Sequence, residues 1–452
     1  MMANINQLMK GTDFGKVLRN ANRIPFPYTA VFGCSNKYAA DLSHLTPLDV
    51  SDKQDGSILF YSYPQDQTVY VLGDGLIYAH EDASFMFQGC PGLHKIVFEN
   101  FDTSCTTNMK GMFSDSELKY LDLSSFDTRQ VTDLSSMFDG ARKLVSVNLS
   151  SFCTDQVSDL SHMFYGCESL QTLDLSGFKT ENVTSMMMMF SGCEKLEQLD
   201  LRGFHTNSLT QMAGMFVFCR SLEQLDLSSF DVSKVSSMSN LFHGCNSLKS
   251  LNLSGWDTRN VTNMREMFCW CNSLKQLELS SFNTSEVTDM ARMFYACQSL
   301  EQLDVSGFKT DNLTTMAGMF DLCLHLQEPD LSAPQVDEVL DAMEQVHIPM
   351  FPAAPEEKDQ SAQEKEDADL KALIDEIIHS DPSESLLEKD APQDAAMEIE
   401  LNVKLRNIKI PAEPESSEIS LADPMEDLNL LEENELEIHD IDLELLIDTQ
   451  EP

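Results

Sequence analysis

A 26-residue beat limits what this chain can fold into. The aromatic residues Phe126, Phe152, Phe178, Phe204, Phe230, Trp256, Phe282 and Phe308 follow one another at that interval. A Met-Phe or Leu-Phe pair keeps the same time, from Met137-Phe138 through Met189-Phe190 and Leu241-Phe242 to Met319-Phe320. Self-similarity at such a period marks small units that bury their apolar face only against copies of themselves. A stack of that kind has no single centre. Its 452 residues therefore do not divide into ordinary globular domains.

Each unit reads in three parts. In Leu170–Leu175, strand alternation sends Leu173 and Leu175 to one face and Thr172, Asp174 and Ser176 to the other. A turn follows at Gly177-Phe178-Lys179-Thr180, its ring aimed at the core. Thr184 is then placed to cap a short helical turn. Met186, Met189 and Phe190 share its apolar face, and Gly192 suits a left-handed ending. The spacing predicts an α/β solenoid, a leucine-rich-repeat stack with a parallel concave sheet and short helical turns on the other side. Ten units can be counted by their first leucine, from Leu93 through Leu118 and Leu144 to Leu326. Strands about 4.8 Å apart would make the concave sheet roughly 45 Å long. Pro329 stands where earlier units carry leucine, and should end the ladder.

Residues 1–54 show little pattern beyond a short helix near Gly11–Asn20. Residues 55–85 read as a small β-rich cap: Ser57–Tyr63, Gln67–Leu72 and Leu76–Ala79 form a meander that covers the first unit. The repeats occupy 86–331. A capping helix follows at 332–348, with Val336, Val339, Leu340, Met343 and Val346 on one face. Residues 349–452 read as an acidic tail, mostly disordered. From Asp330 to Pro452 there are 36 acids against 7 bases. Such a composition buries too little apolar area to offset chain entropy. Within the tail, Ile441–Ile447 reads either as solvated chain or as a strand added to a partner's sheet edge.

The formal net charge of −44 argues against nucleic acid and against anionic membrane surfaces. No apolar run is long enough to span a membrane. The first twenty residues lack an apolar secretory core, so no ordinary export signal is expected. There is no phosphate loop, no H-E-x-x-H and no nucleophile elbow. His162, His205, His243 and His325 share no register, and no Ser or Cys pairs with them along the sequence. No catalytic residue, cofactor or metal is expected, and the chain reads as no enzyme.

Seven cysteines keep the beat: Cys167, Cys193, Cys219, Cys245, Cys271, Cys297 and Cys323, with Cys90 equivalent in the first unit. Metal clusters need thiolates converging on one point, and these lie one per unit along a line. Ala141 and Ser116 hold the same place, which fits a small core filler. Cys269 and Cys271 make a lone C-x-C.

The outward strand column carries Asp122, Asn148, Asp174, Asp200, Asp226, Asn252, Glu278, Asp304 and Asp330, with Gln198, Gln224, Gln276 and Gln302 beside it. Like charges one strand apart repel. Two readings stand. Asp174, Asp200, Asp226, Glu278 and Asp304 with the four glutamines form a surface for a protein partner bearing basic groups, or they are the polar coat of a solvated sheet. Ca²⁺ held between adjacent units is a further option, without the Gly-rich nonapeptide that accompanies such sites.

The unit Leu225-Asp-Leu-Ser-Ser-Phe230, with Val287-Thr-Asp-Met-Ala-Arg-Met-Phe294-Tyr-Ala-Cys297-Gln-Ser-Leu300, resembles the 26-residue variant of the BspA-like leucine-rich-repeat surface proteins of bacteria. The segment from Asp55 through Tyr78 is similar to the short β region that precedes the repeats in that family. The resemblance covers about residues 55–331. It implies a non-enzymatic binding or adhesion role on host proteins, matrix or other cells, at the cell surface or outside it. It supplies no catalytic residue. The missing export signal keeps a second reading open: a cytoplasmic interaction scaffold or effector whose acidic tail recruits another partner. The oligomeric state stays open.

Overall fold

A computed structural model describes residues 6–20 and 28–327. The chain divides into two units, Met1–Met350 and Phe351–Pro452, and every described residue lies in the first. Pro329, Asp330, the capping helix expected at 332–348 and the acidic tail fall outside the described residues.

The N-terminal segment is more structured than its pattern foretold. Helix α1 (Gly11–Arg19) buries Phe14 and Leu18. Phe14 meets Phe32 and Phe87 at ring distances of 5.8 and 6.3 Å. The helix lies directly on the first repeat: a Cβ at Gly11 would come within 2.5 Å of the Ala83 backbone. Lys10 pairs with Asp82 at 3.0 Å, and Arg19 donates to the Gln88 carbonyl at 2.7 Å. Next come β1 (Tyr28–Cys34), α2 (Ser35–Leu42), β2 (Leu48–Asp49), β3 (Ile58–Tyr63), β4 (Thr68–Gly73), β5 (Ile77–Tyr78), β6 (Leu93–Phe98) and β7 (Phe101–Asp102). One five-stranded sheet has the order β2-β3-β4-β1-β6.

Two sequence readings change here. The β region begins before residue 55, because β1 lies between β4 and β6 and runs parallel to both. Nor is it a three-strand meander. β3 and β4 pair antiparallel, but β4 already has β1 on its other edge. β5 therefore leaves the sheet and pairs parallel with β7. The edge strand β6 is also the first strand of the repeats.

From there successive repeats pair side by side, one period apart. In β8 (Tyr120–Asp122) and β9 (Ser146–Asn148), Tyr120 faces Ser146. In β10 (Gln224–Asp226) and β11 (Ser250–Asn252), Gln224 faces Ser250. In β12 (Gln276–Leu277) and β13 (Gln302–Leu303), Gln276 faces Gln302. The result is a set of short open parallel sheets. Leu170–Leu175 falls short of a strand. Its Gln171 N–H donates to Val145 O, without the paired bonds of a ladder.

The interior is built from columns. Leu118, Leu170, Leu222 and Leu274 are buried. Phe87, Phe113, Phe138, Phe164, Phe190, Phe216, Phe242, Phe268, Phe294 and Phe320 form an unbroken stack. Neighbouring rings lie 5.1 to 5.9 Å apart and within 13° of parallel. A second aromatic column includes Phe204 on Phe230 and Trp256 on Phe282, each at 6.2 Å. Offset stacking adds to area burial in such pairs.

The expected helical turns are not helical. Met186, Met189 and Phe190 are buried as predicted, but the backbone takes another path. The N–H groups of Met186, Met188, Phe190 and Gly192 donate to Gln211, Ala213, Met215 and Val217 carbonyls of the next repeat. The alternate N–H groups of Met189, Ser191 and Cys193 close turns onto residues three back. An α-helix needs every N–H for the carbonyl four back; here half are taken by the neighbour. Thr184 is no helix cap either. Its N–H and hydroxyl both donate to Ser158 O of the preceding repeat, at 2.8 and 3.1 Å. Met188 and Gly192 are left-handed, at φ 52° and 76°, which turns the chain tightly without winding a helix.

A buried threonine column adds a side-chain ladder that spacing did not disclose. Thr206 Oγ1 donates to Asp231 O at 3.1 Å and accepts from Asp231 N–H at 2.7 Å. Thr154 and Thr284 do the same with Lys179 and Lys309. Val232 occupies this column with no hydroxyl.

Two outcomes follow from these columns. Phe216→Ala should lose about 3–5 kcal/mol in denaturant unfolding, and Phe320→Ala less, because Phe320 stacks on a single described neighbour. Thr206→Val should cost about 1–3 kcal/mol, the value of a buried group left unpaired, whereas Val232→Thr should stabilise by about 1 kcal/mol. A Val232→Thr variant less stable than wild type would contradict the ladder.

Candidate functional site

The outward column is exposed and regularly built. Asp174, Asp200, Glu278, Asp304 and the four glutamines Gln198, Gln224, Gln276 and Gln302 are exposed, and Asp226 is half-buried. Gln224, Gln276 and Gln302 sit on strands. The acids do more than face solvent. Each accepts the backbone N–H two residues on: Ser176 to Asp174 at 2.9 Å, Arg202 to Asp200 at 3.1 Å, Ser228 to Asp226 at 3.0 Å. Glu278 and Asp304 do the same with Ser280 and Ser306, both at 2.9 Å. Asn148 and Asn252 make the same bond through their amide oxygens. The acceptor bends the chain out of the strand into the turn that carries the aromatic residue.

These bonds set the acidity of the column. The Ser176 and Ser228 contacts hold Asp174 and Asp226 below the usual carboxylate range. Asp200 goes furthest. The Arg202 guanidinium grips it through two bonds of 2.9 and 2.7 Å, and its pKa falls to about 2. Asp226 is bridged to the next repeat by the Asn252 amide at 2.9 Å.

The in-register cysteines from Cys167 to Cys297 lie inside, and Cys323 is half-buried. Cys193 donates its S–H to Phe164 O and Cys219 to Phe190 O, both at 3.2 Å. Burial raises both thiols well above their ordinary value. They are spaced as core, one per repeat.

The structure assembles one polar cluster that linear spacing missed. His243, Glu266 and Cys269 bring one nitrogen, one carboxylate oxygen and one sulfur within 4.8 Å of one another. His243 and Cys269 occupy the same place in consecutive repeats, 26 residues apart. Reading histidines for a shared column, or a partner nearby in sequence, passes over that relation. Comparing each histidine with the residue one period on would have found it. Glu266 is 5% exposed and sits at φ 55°. Its Oε1 faces Arg265 and Arg292 at 3.5 and 3.6 Å, and its Oε2 lies 3.3 Å from His243 Nδ1. Burial pushes its pKa up, but His243 and the two guanidinium groups more than offset that, so it stays ionised. Burial raises the Cys269 thiol, with the Glu266 charge adding to the effect. Phe218 meets the imidazole edge-on at 5.2 Å.

The acid column gives stability a pH dependence of known sign. Its folded-state pKa values are depressed, so its contribution is complete above the ordinary carboxylate range. It fades as pH falls through the folded values, the last for Asp200 near 2. Fewer negative charges at low pH also relieve repulsion, so the comparison must be internal. A variant with Asp174, Asp200, Asp226 and Asp304 all changed to Asn should match wild type near neutral pH and lose less melting temperature between pH 5 and 2. Superimposable acid limbs in thermal melts would contradict the assignment.

Among the described residues no helix is long and apolar enough to cross a membrane. No curated protein matches the chain. A family model described as "Mycoplasma protein of unknown function, DUF285" matches residues 81–172, 158–252 and 236–356. These overlapping matches cover more than half of the 452 residues, and up to residue 327 they fall on the repeats described above. The chain belongs to the family of Mycoplasma proteins of unknown function, DUF285.

Proposed function

We propose that this is a non-enzymatic binding protein whose tandem repeats wind into a leucine-rich-repeat solenoid and whose Gln/Asp/Ser strand face docks a protein partner bearing basic groups. One observation carries the reading: Gln198, Gln224, Gln276 and Gln302 are exposed on the repeat register, with Ser250 between the middle two, beside a column of turn-capping acids. A polar array fixed on a repeating backbone offers long, pre-ordered contact with little side-chain ordering left to do. The offset of one period in each strand pair supports the winding. Resemblance to the BspA-like surface proteins points to adhesion on host proteins or matrix.

Capture from host-cell and matrix extracts by the full chain tests the reading. A variant carrying Gln198→Lys, Gln224→Lys, Gln276→Lys and Gln302→Lys keeps every turn acceptor. It should lose the captured partner at least about tenfold, in line with the like-charge penalty at an interface. The fourfold Asp→Asn variant should weaken capture in a salt-dependent way while melting as wild type does at pH 7. Partners retained equally by both variants would remove this face from the account.

A further inference from the structure

We propose that His243, Glu266 and Cys269 bind a zinc ion across two neighbouring repeats. The donor set is the first reason. An imidazole nitrogen, a carboxylate oxygen and a thiol sulfur suit a borderline-soft ion, whereas Ca²⁺ and Mg²⁺ take oxygen. The three atoms already lie within 4.8 Å of one another. Tetrahedral zinc, with bonds of about 2.0 to 2.3 Å, places its ligand atoms about 3.5 Å apart. The cluster needs to close by little more than an ångström.

Register is the second reason. Asn240 and Glu266 share one place in consecutive repeats, and His243 and Cys269 share the place three residues on. Neighbouring repeats fill the two places with Gly214 and Val217 before, and with Arg292 and Tyr295 after. The metal-ligating types thus occur together where two adjacent repeats meet.

Unmet polar demand is the third. His243 is 9% exposed, and its Nδ1 faces Glu266 Oε2 at 3.3 Å without the alignment of a hydrogen bond. Asn240 Oδ1, three residues earlier in the same repeat, is buried without a hydrogen-bond partner. A bound ion would engage the imidazole lone pair. The surroundings are arranged as metal sites need. Arg265 and Arg292 hold Glu266 by Oε1, leaving Oε2 toward the imidazole, and Arg265 is shared with Asp289 at 3.9 Å. On binding, the Cys269 thiol releases its proton to solvent and coordinates as thiolate. The His243 imidazole coordinates through a ring nitrogen and Glu266 through its carboxylate. The ion would tie one repeat to the next through side chains.

The test uses the reduced, chelator-washed full chain, titrated with Co²⁺ and then Zn²⁺. One equivalent of Co²⁺ should give tetrahedral visible bands and a thiolate-to-cobalt charge-transfer band, both displaced by Zn²⁺. Cys269→Ser should abolish the charge-transfer band. His243→Gln should weaken zinc binding by at least about 100-fold in chelator competition, beyond the usual effect of losing a supporting residue. Cys271→Ala, in a column where Ala141 already stands, should change neither. X-ray absorption at the zinc edge of the wild-type protein reads the ligands without mutation, and a shell of one sulfur with nitrogen and oxygen is expected. A shell of nitrogen and oxygen alone would overturn the proposal. So would a charge-transfer band that survives Cys269→Ser, or the absence of any such band in the wild type.

Discussion

Backbone hydrogen bonding between neighbouring repeats is the constraint on which the rest depends. In the segment from Met186 to Cys193, four N–H groups are answered by the next repeat and the alternate ones by turns within their own. A repeat alone would leave the first set unanswered in an apolar setting, at about 1–3 kcal/mol for each. The pairing therefore works only in copies. It also locks register. A slip of one residue would carry inward side chains to the outer face, so Phe190 would no longer lie on Phe216. The stacked phenylalanines, the leucine column and the threonine ladder are consequences of one fixed offset.

That offset depends on two left-handed residues in each repeat, four positions apart. One column runs through Met188, Gly214 and Asn240, the other through Gly192, Phe218 and Gly244. Left-handed backbone disfavours residues with a Cβ by about 1–2 kcal/mol, so the non-glycine members need compensation from packing. Phe218 finds it by lying over the next repeat. Gly244 leaves the room that its ring fills, since a Cβ there would run into that ring. The Arg220 guanidinium lies over the Phe218 ring at 4.9 Å. The strain at one repeat is offset by the absence of a side chain in the next, and neither residue explains itself alone.

The period, the core and the polar face were legible because each is a matter of which residues recur. Alternation put Leu175 inside and Asp174 outside, as observed. Path was harder. Met186, Met189 and Phe190 share a face in a helix and also in a string of turns, so apolar spacing cannot separate the two. What decides is the destination of the N–H groups, and that lies a whole repeat away. Thr184 differs for the same reason: a cap hydroxyl accepts a local N–H, whereas this one donates to Ser158 O of the preceding repeat. Tyr28–Cys34 was missed as a strand because its neighbours β4 and β6 are distant in sequence. The pairing of His243 with Cys269 was hidden likewise, since it joins different residue types through a shared position.

The acid column raises a question that folding does not answer. Every repeat needs an acceptor where the strand bends into its turn. Asn148 and Asn252 meet that need as well as Asp174 or Asp304, through bonds of similar length. Neutral asparagine would also avoid repulsion between like charges at strand spacing. Folding alone thus gives no preference for acid over amide. Yet six of the eight positions from Asp122 to Asp304 are acidic. Only Asp200 has its own arginine bonded to it, through Arg202. The charge is additional to what the turn requires, and this excess supports the proposed basic partner over a solvent coat.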